Sequence, residues 1–215
     1  MKRIQVLSAV AMIALLTTGC LVKHTRHTLY LEPDGAVSWM VIEKDIRSVA
    51  DDPEERRAQE SEYLDLFAAG EHPVALALER LGGANLRSSW LRDRRPYATV
   101  TEADFASVET LVQEFFDQLG VPGEVELRHE DSRHELVMTV LIEDDGEQAP
   151  EEDEELLGLV EDADAYRIVL TAGQFVDAEG FTLHEGDTVA MFDERSEDEI
   201  DRLGGILTLR LSWTD

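Results

Sequence analysis

The chain of 215 residues has one cysteine, Cys20, only three lysines, and no apolar run approaching the ~20 residues that a membrane-crossing helix needs. A lone sulfur allows no intrachain disulfide and no cysteine-based zinc site. Cations are scarce in general: 19 Lys and Arg stand against 47 Asp and Glu, for a formal charge of -28. Binding a phosphate backbone needs clustered cations, so nucleic acid is excluded as a partner. Collagen, a coiled-coil rod and a multi-pass membrane protein are excluded by composition. No Gly-x-Ser-x-Gly elbow, His-Glu-x-x-His helix, phosphate-cradling glycine loop or dinucleotide fingerprint occurs, and no cofactor is expected. What is present is regular apolar periodicity. It predicts a folded core despite 31% charged residues.

The first residues carry the plainest signal. Met1-Lys2-Arg3 is a short positive segment, and 6–16 is an apolar run broken only by Ser8, the length of a secretory leader. The run ends in Leu15-Leu16-Thr17-Thr18-Gly19-Cys20, which resembles the lipobox of bacterial lipoproteins, with Gly19 as the small residue before the cysteine and Thr17 where leucine is usual. Membership of that class implies removal of 1–19, a diacylglyceryl thioether on Cys20 and an acyl chain on its new amino group. Several chains at ~0.8 kcal/mol per buried methylene anchor a protein stably, whereas one does so marginally. Leu21, in place of the aspartate that retains such proteins at the inner membrane of enteric bacteria, implies the periplasmic face of the outer membrane. The mature chain then holds 17 basic and 47 acidic residues, a net of -30.

A short tether is expected over 20–25 and a single domain over 26–215. Leu29 and Leu31 alternate on one side of Pro33-Asp34-Gly35, and Val37, Trp39 and Val41 answer on the other. Proline presets the first turn position and glycine supplies a positive φ, so a hairpin is predicted with Leu31 facing Val37, Leu29 facing Trp39 and His27 facing Val41. Asp52-Pro53-Glu54-Glu55 reads as a helix start, with helices predicted over 53–69, stopped by Gly70, and over 73–81, stopped by Gly82-Gly83. Both should lie on a sheet. Strands at 86–91 and 97–101 flank the turn 92–96. Ser107 then opens a helix whose stripe of Val108, Leu111, Val112, Phe115 and Leu119 marks it as core-facing.

A second hairpin is predicted from 125–129 and 134–140. Pairing His129 with His134 puts Leu127 opposite Leu136 and Val125 opposite Met138, and sets Arg128 against Glu135 and Glu130 against Arg133. An acidic loop at 143–155 holds nine carboxylates and no cation and leads into a short helix near 152–161. Strands follow at 166–171, 174–177 and 188–192, then a small helix capped by Ser196, then a closing strand through Leu207, Leu209, Leu211 and Trp213. Paired strands interrupted by helices predict an α+β fold, an antiparallel sheet built from hairpins with helices packed on one face. The stretch 166–192 resembles a segment of uncharacterised bacterial lipoproteins, carried by Gly173, Glu179-Gly180, Glu185-Gly186-Asp187 and Thr188-Val189, with Ala172 and Phe192 in place of a proline and a tryptophan. It implies no chemistry.

Four constellations bear on function. His24 and His27 are expected at the surface of the tether. His129 and His134 at a hairpin tip are close enough to share a metal with Glu130 or Asp131, although a hydrated tip is the simpler reading. The acidic loop has no EF-hand register and is expected to associate with cations only loosely. Arg87, Arg92, Arg94 and Arg95, beside Trp90 and Tyr97, are candidates for an anion site that takes lipid phosphate or another envelope anion, the plain alternative being neutralisation of neighbouring acidic helices. With 47 carboxylates, no acid–base pair can be singled out. The expected function is a lipid-anchored envelope protein acting as a non-catalytic binding or scaffold module, with the membrane as partner through its anchor. The rivals are a periplasmic hydrolase using two carboxylates and a cation-binding envelope protein.

Overall fold

A computed structural model of the chain describes residues 21–141, 166–192 and 206–214. The leader, Cys20, the acidic loop with the helix expected after it, and the helix expected at Ser196 lie outside those residues. In chain order the described elements are β1 (Leu21–Leu31), β2 (Val37–Ser48), α1 (Pro53–Ala69), α2 (Pro73–Arg80), β3 (Ala84–Arg92), β4 (Tyr97–Phe105), α3 (Val108–Leu119), β5 (Gly123–Glu130), β6 (Arg133–Leu141), β7 (Tyr166–Leu170), β8 (Gln174–Glu179), β9 (Phe181–His184), β10 (Val189–Phe192) and β11 (Ile206–Thr214). The fold is α+β.

The two predicted hairpins form in the predicted registers. Leu31 pairs with Val37, Leu29 with Trp39 and His27 with Val41, and Gly35 closes the turn at φ 92°. In the second, His129 pairs with His134, Leu127 with Leu136 and Val125 with Met138. The helix starts are also built from local chemistry. Asp52 accepts the N–H groups of Glu54 and Glu55 at 2.8 and 2.9 Å, and Gly70 ends α1 in the left-handed region. Ser107 stands at the cap of α3, but its hydroxyl makes no capping bond; the first N–H of the helix, that of Val108, donates to the carbonyl of Gly35, 2.8 Å away.

The single antiparallel sheet expected from the hairpins is two sheets. One has seven strands in the order β3-β4-β2-β1-β7-β10-β9, the other four in the order β5-β6-β11-β8. Within the first, β1 and β7 run parallel, with Leu29 opposite Ile168. The chain passes from one sheet to the other at Gly180, at φ 79°, between β8 and β9, so the strand expected to stop at 177 runs on and a further strand follows it. Helices therefore do not cover one face alone: α1 and α2 lie on the seven-stranded sheet, while α3 lies along β5 of the other.

One core joins the sheets. Leu31, Val37, Trp39, Val41 and Phe105 from the larger sheet meet Leu136, Leu209, Leu211 and Trp213 from the smaller, with Leu78 of α2 and Leu111 of α3 closing it. Each such side chain contributes roughly 1.5–3 kcal/mol on burial. Trp213 is fully buried, and its indole N–H donates to the carbonyl of Pro33 at 3.1 Å, pinning the first turn onto the second sheet. The expected tether is strand from Leu21 onward, since Leu21 pairs with Ser48 and Val22 with Arg47. His27, expected at the surface, is 1% exposed and stacked on Tyr166, because the parallel strand β7 covers that side of β1; His24 is exposed.

Candidate functional site

The end of the larger sheet at which β1 begins gathers most of the predicted arginines. Register fixes its make-up. His24, Lys44, Ala98 and Arg92 form one row across β1, β2, β4 and β3, and beyond it lie Val22 with Arg47, Ile46 with Tyr97, and the β3–β4 turn of residues 93–96. At or past that row these strands and their turn carry six cations, Lys23, Lys44, Arg47, Arg92, Arg94 and Arg95, against two carboxylates, Asp45 and Asp93. The link to α1 adds Asp51 and Asp52, and Glu43 and Glu60 are bonded to Lys23 and Arg95, so six cations meet six carboxylates and the end is close to neutral on a chain of charge -28.

The four candidate arginines have different surroundings. Arg87 lies five residues back along β3, roughly 16 Å from Arg92 at strand rise, and faces Glu102 at 3.5 Å. Arg92 lies 4.0 Å from Asp45 with both side chains about half exposed, a pair worth little. Arg95 is bound to the buried carboxylate of Glu60 on α1. Arg94 is exposed and has no carboxylate partner among the described residues, as is also true of Arg47. Leu91, Val49, Val22 and Trp90, the last packed against Phe67, belong to the strands and the link near this end. These are four of the nine large apolar side chains left exposed among the described residues.

Beneath this end lies a buried polar cluster that sequence reasoning did not single out. The Glu43 carboxylate accepts from Lys23 Nζ at 2.5 Å, Tyr63 Oη at 2.6 Å and Thr99 Oγ1 at 3.3 Å. Burial alone would raise its pKa, but the Lys23 ammonium and these hydrogen bonds outweigh that and hold it below the usual carboxylate range. The Tyr63 phenol is pushed up, by burial first and then by the Glu43 charge. His72 is fully buried between Phe67 and the strands, with its Nε2 2.9 Å from Ser88 Oγ and its Nδ1 without a hydrogen-bond partner; burial lowers its pKa. Every contact made by Glu43 is with the fold itself. An alternating strand hides such residues, since Glu43 falls on the same face as Trp39 and Val41, and that parity was the signal available.

The histidine tip is brought together as predicted. His129 and His134 face each other with their Nδ1 atoms 2.6 Å apart, and His134 stacks on Trp213. Among the described residues no three His, Cys, Asp or Glu side chains are grouped to hold a metal. One open depression in the described surface lies along α1 by Ser61, Glu62 and Asp65, and another lies between α2 and α3 by Leu81, Phe105 and Ser107. Among the described residues no helix is long and apolar enough to cross a membrane.

No family model and no curated protein matches the chain. Among solved structures it is similar to the folded domain of the LppM protein of Mycobacterium tuberculosis, determined by NMR. The two are 12% identical over 91% of this chain and 92% of that one, with a TM-score of 0.37. That superposition is too loose to transfer fold or function.

Proposed function

We propose that the protein is a lipid-anchored component of the bacterial cell envelope, acylated on Cys20 and acting as a non-catalytic binding or scaffold module at the periplasmic face of the outer membrane. The observation that carries this reading is the sequence of residues 1–20: a positive start, an apolar run too short to span, and Gly19-Cys20 at its end, with the only sulfur nucleophile of the chain at the position where the lipobox places it. The buried carboxylate Glu43 engages Lys23, Tyr63 and Thr99, which is the work of a structural group and not of an acid or base awaiting substrate.

The test is expression in a Gram-negative host fed an alkyne-bearing palmitate analogue, followed by intact-mass analysis of the membrane fraction. The expected result is label on a species starting at residue 20, absent from a Cys20→Ala variant. An unlabelled mature chain that starts elsewhere would overturn the reading.

A further inference from the structure

We infer that the end of the larger sheet at which β1 begins is a membrane-docking surface that lies against anionic lipid headgroups. The inference rests on acylation of Cys20. Three observations then converge on one place. The first is distance: one peptide bond separates Cys20 from Leu21, the first residue of β1, so consecutive Cα atoms ~3.8 Å apart link the acyl chains to the sheet with no spacer between. Whatever lies at that end meets the bilayer surface.

The second is charge. That end is close to neutral, its six cations meeting six carboxylates, Asp45, Asp51, Asp52, Asp93 and the bonded Glu43 and Glu60, on a chain with 47 carboxylates in all. Lys23 and Arg95 are held by Glu43 and Glu60, but Lys44, Arg47 and Arg94 are exposed and have no carboxylate partner among the described residues. Facing an anionic leaflet, the acidic body is repelled and this end, with its three exposed cations, is not, so the field of the membrane itself selects this orientation. The third is apolar exposure. Leu91 and Val49 are each 54% exposed and Val22 is 39% exposed, while Trp90, one row further in and packed against Phe67 with ring centroids 4.3 Å apart, is 37% exposed. An indole beside aliphatic and guanidinium side chains suits the headgroup layer, where an apolar body and a polar tip are both accommodated. Arg87, back along β3 and facing Glu102, is not part of this surface.

The indole supplies the test. Trp39 and Trp213 are 3% and 0% exposed, so among the three tryptophans Trp90 alone reports contact with lipid. The acylated mature protein is reconstituted into phosphatidylcholine vesicles with or without about one-third phosphatidylglycerol, carrying bromine-labelled acyl chains, and Trp90 emission is recorded against a Trp90→Phe blank. The expected result is a loss of roughly half the Trp90 emission in the anionic vesicles, with several-fold less in the zwitterionic ones. In an Arg47→Glu, Arg94→Glu variant with unchanged circular dichroism the anionic quenching should fall to the zwitterionic level. Anchored protein whose Trp90 is not quenched, or is quenched equally in both vesicles, overturns docking and leaves the anchor standing. Should the double variant fail to fold, the comparison between the two vesicle types decides alone. A preparation whose mass shows no acyl group overturns the anchor reading and docking together.

Discussion

Arg95 reaches from the β3–β4 turn to Glu60, a carboxylate that is 4% exposed on α1 and whose other oxygen accepts the Ser48 N–H at 3.3 Å. One turn residue thus ties the end of β2, the side of α1 and the β3–β4 turn together. Its neighbour Arg94 is exposed and has no carboxylate partner among the described residues. Two arginines that read alike in sequence are, respectively, part of the fold and part of the surface.

The pair predicts unequal costs. Arg95→Ala strands a buried carboxylate and should lower unfolding free energy by about 2 kcal/mol, below the usual loss for a buried pair because the guanidinium is half exposed. Arg94→Ala should stay within about 0.5 kcal/mol of the parent. Urea denaturation of both variants checks this, and equal midpoints would show that Glu60 does not depend on Arg95.

His27 predicts a loss of stability in mild acid. Burial lowers its pKa from 6.5 to about 4, and its Nδ1 accepts the Trp39 indole N–H at 3.3 Å, which places the imidazole proton on Nε2. Below pH 6.5 the unfolded chain takes up a proton that the folded one refuses until about pH 4. The group's contribution is therefore complete above the unfolded value and is lost as pH falls toward the folded one, by on the order of 3 kcal/mol. His27→Gln, which can still accept from Trp39 but cannot titrate, should flatten the stability profile over that window. An unaltered slope would place the titration elsewhere.

Glu43 acts lower on the pH scale. Its depressed pKa means that its contribution is present above the unfolded carboxylate value and is lost as pH falls through the folded one, below the usual carboxylate range. The two partners should also respond asymmetrically to substitution. Lys23→Met leaves the carboxylate buried without its countercharge and should cost roughly 3 kcal/mol. Glu43→Gln still accepts from Tyr63 and leaves Lys23, 29% exposed, free to turn to solvent, so it should cost less, about 1 kcal/mol. Guanidinium unfolding at neutral pH distinguishes the two, and the reverse order would contradict the assignment.

What was legible in the sequence is what neighbours in the chain decide. Pro33-Asp34-Gly35 and the alternation around it set the first hairpin, and Asp52-Pro53 and Gly70 set both ends of α1, because turn and cap chemistry act within a few residues. The parallel pairing of β1 with β7 was not legible, since Leu29 and Ile168 are 139 positions apart and nothing local to either strand encodes the partner. That pairing is what buries His27. The division into two sheets was hidden likewise, because Gly180 reads as an ordinary turn whether the chain stays in its sheet or crosses to another. At the candidate site the arginines could be named but not sorted, as Glu60 and Asp45 come to them from other elements. Glu43 is one of 47 carboxylates, and the partners that set it apart, Tyr63 and Thr99, come to it from α1 and β4.

The edge of the smaller sheet yields a further expectation. β5 is an edge strand, and its outward N–H groups would stand unpaired, open to another chain. Instead α3 lies alongside: Glu109 accepts the Leu127 N–H at 3.1 Å and Gln113 accepts the Val125 N–H at 3.2 Å, side chains one helical turn apart meeting alternate strand residues. The spacing works because four helical residues rise ~6 Å, close to the ~6.8 Å between alternate strand positions. Removing either acceptor as Glu109→Ala or Gln113→Ala should cost about 1 kcal/mol, and the pair together should add nearly in full because each bond serves a different amide. Hydrogen exchange measured by NMR gives the sharper readout: protection at Leu127 should fall roughly tenfold more than at Val125 in the first variant, and the reverse in the second. Uniform loss at both amides in either variant would mean that α3 shields the edge by bulk alone, with no role for the individual bonds.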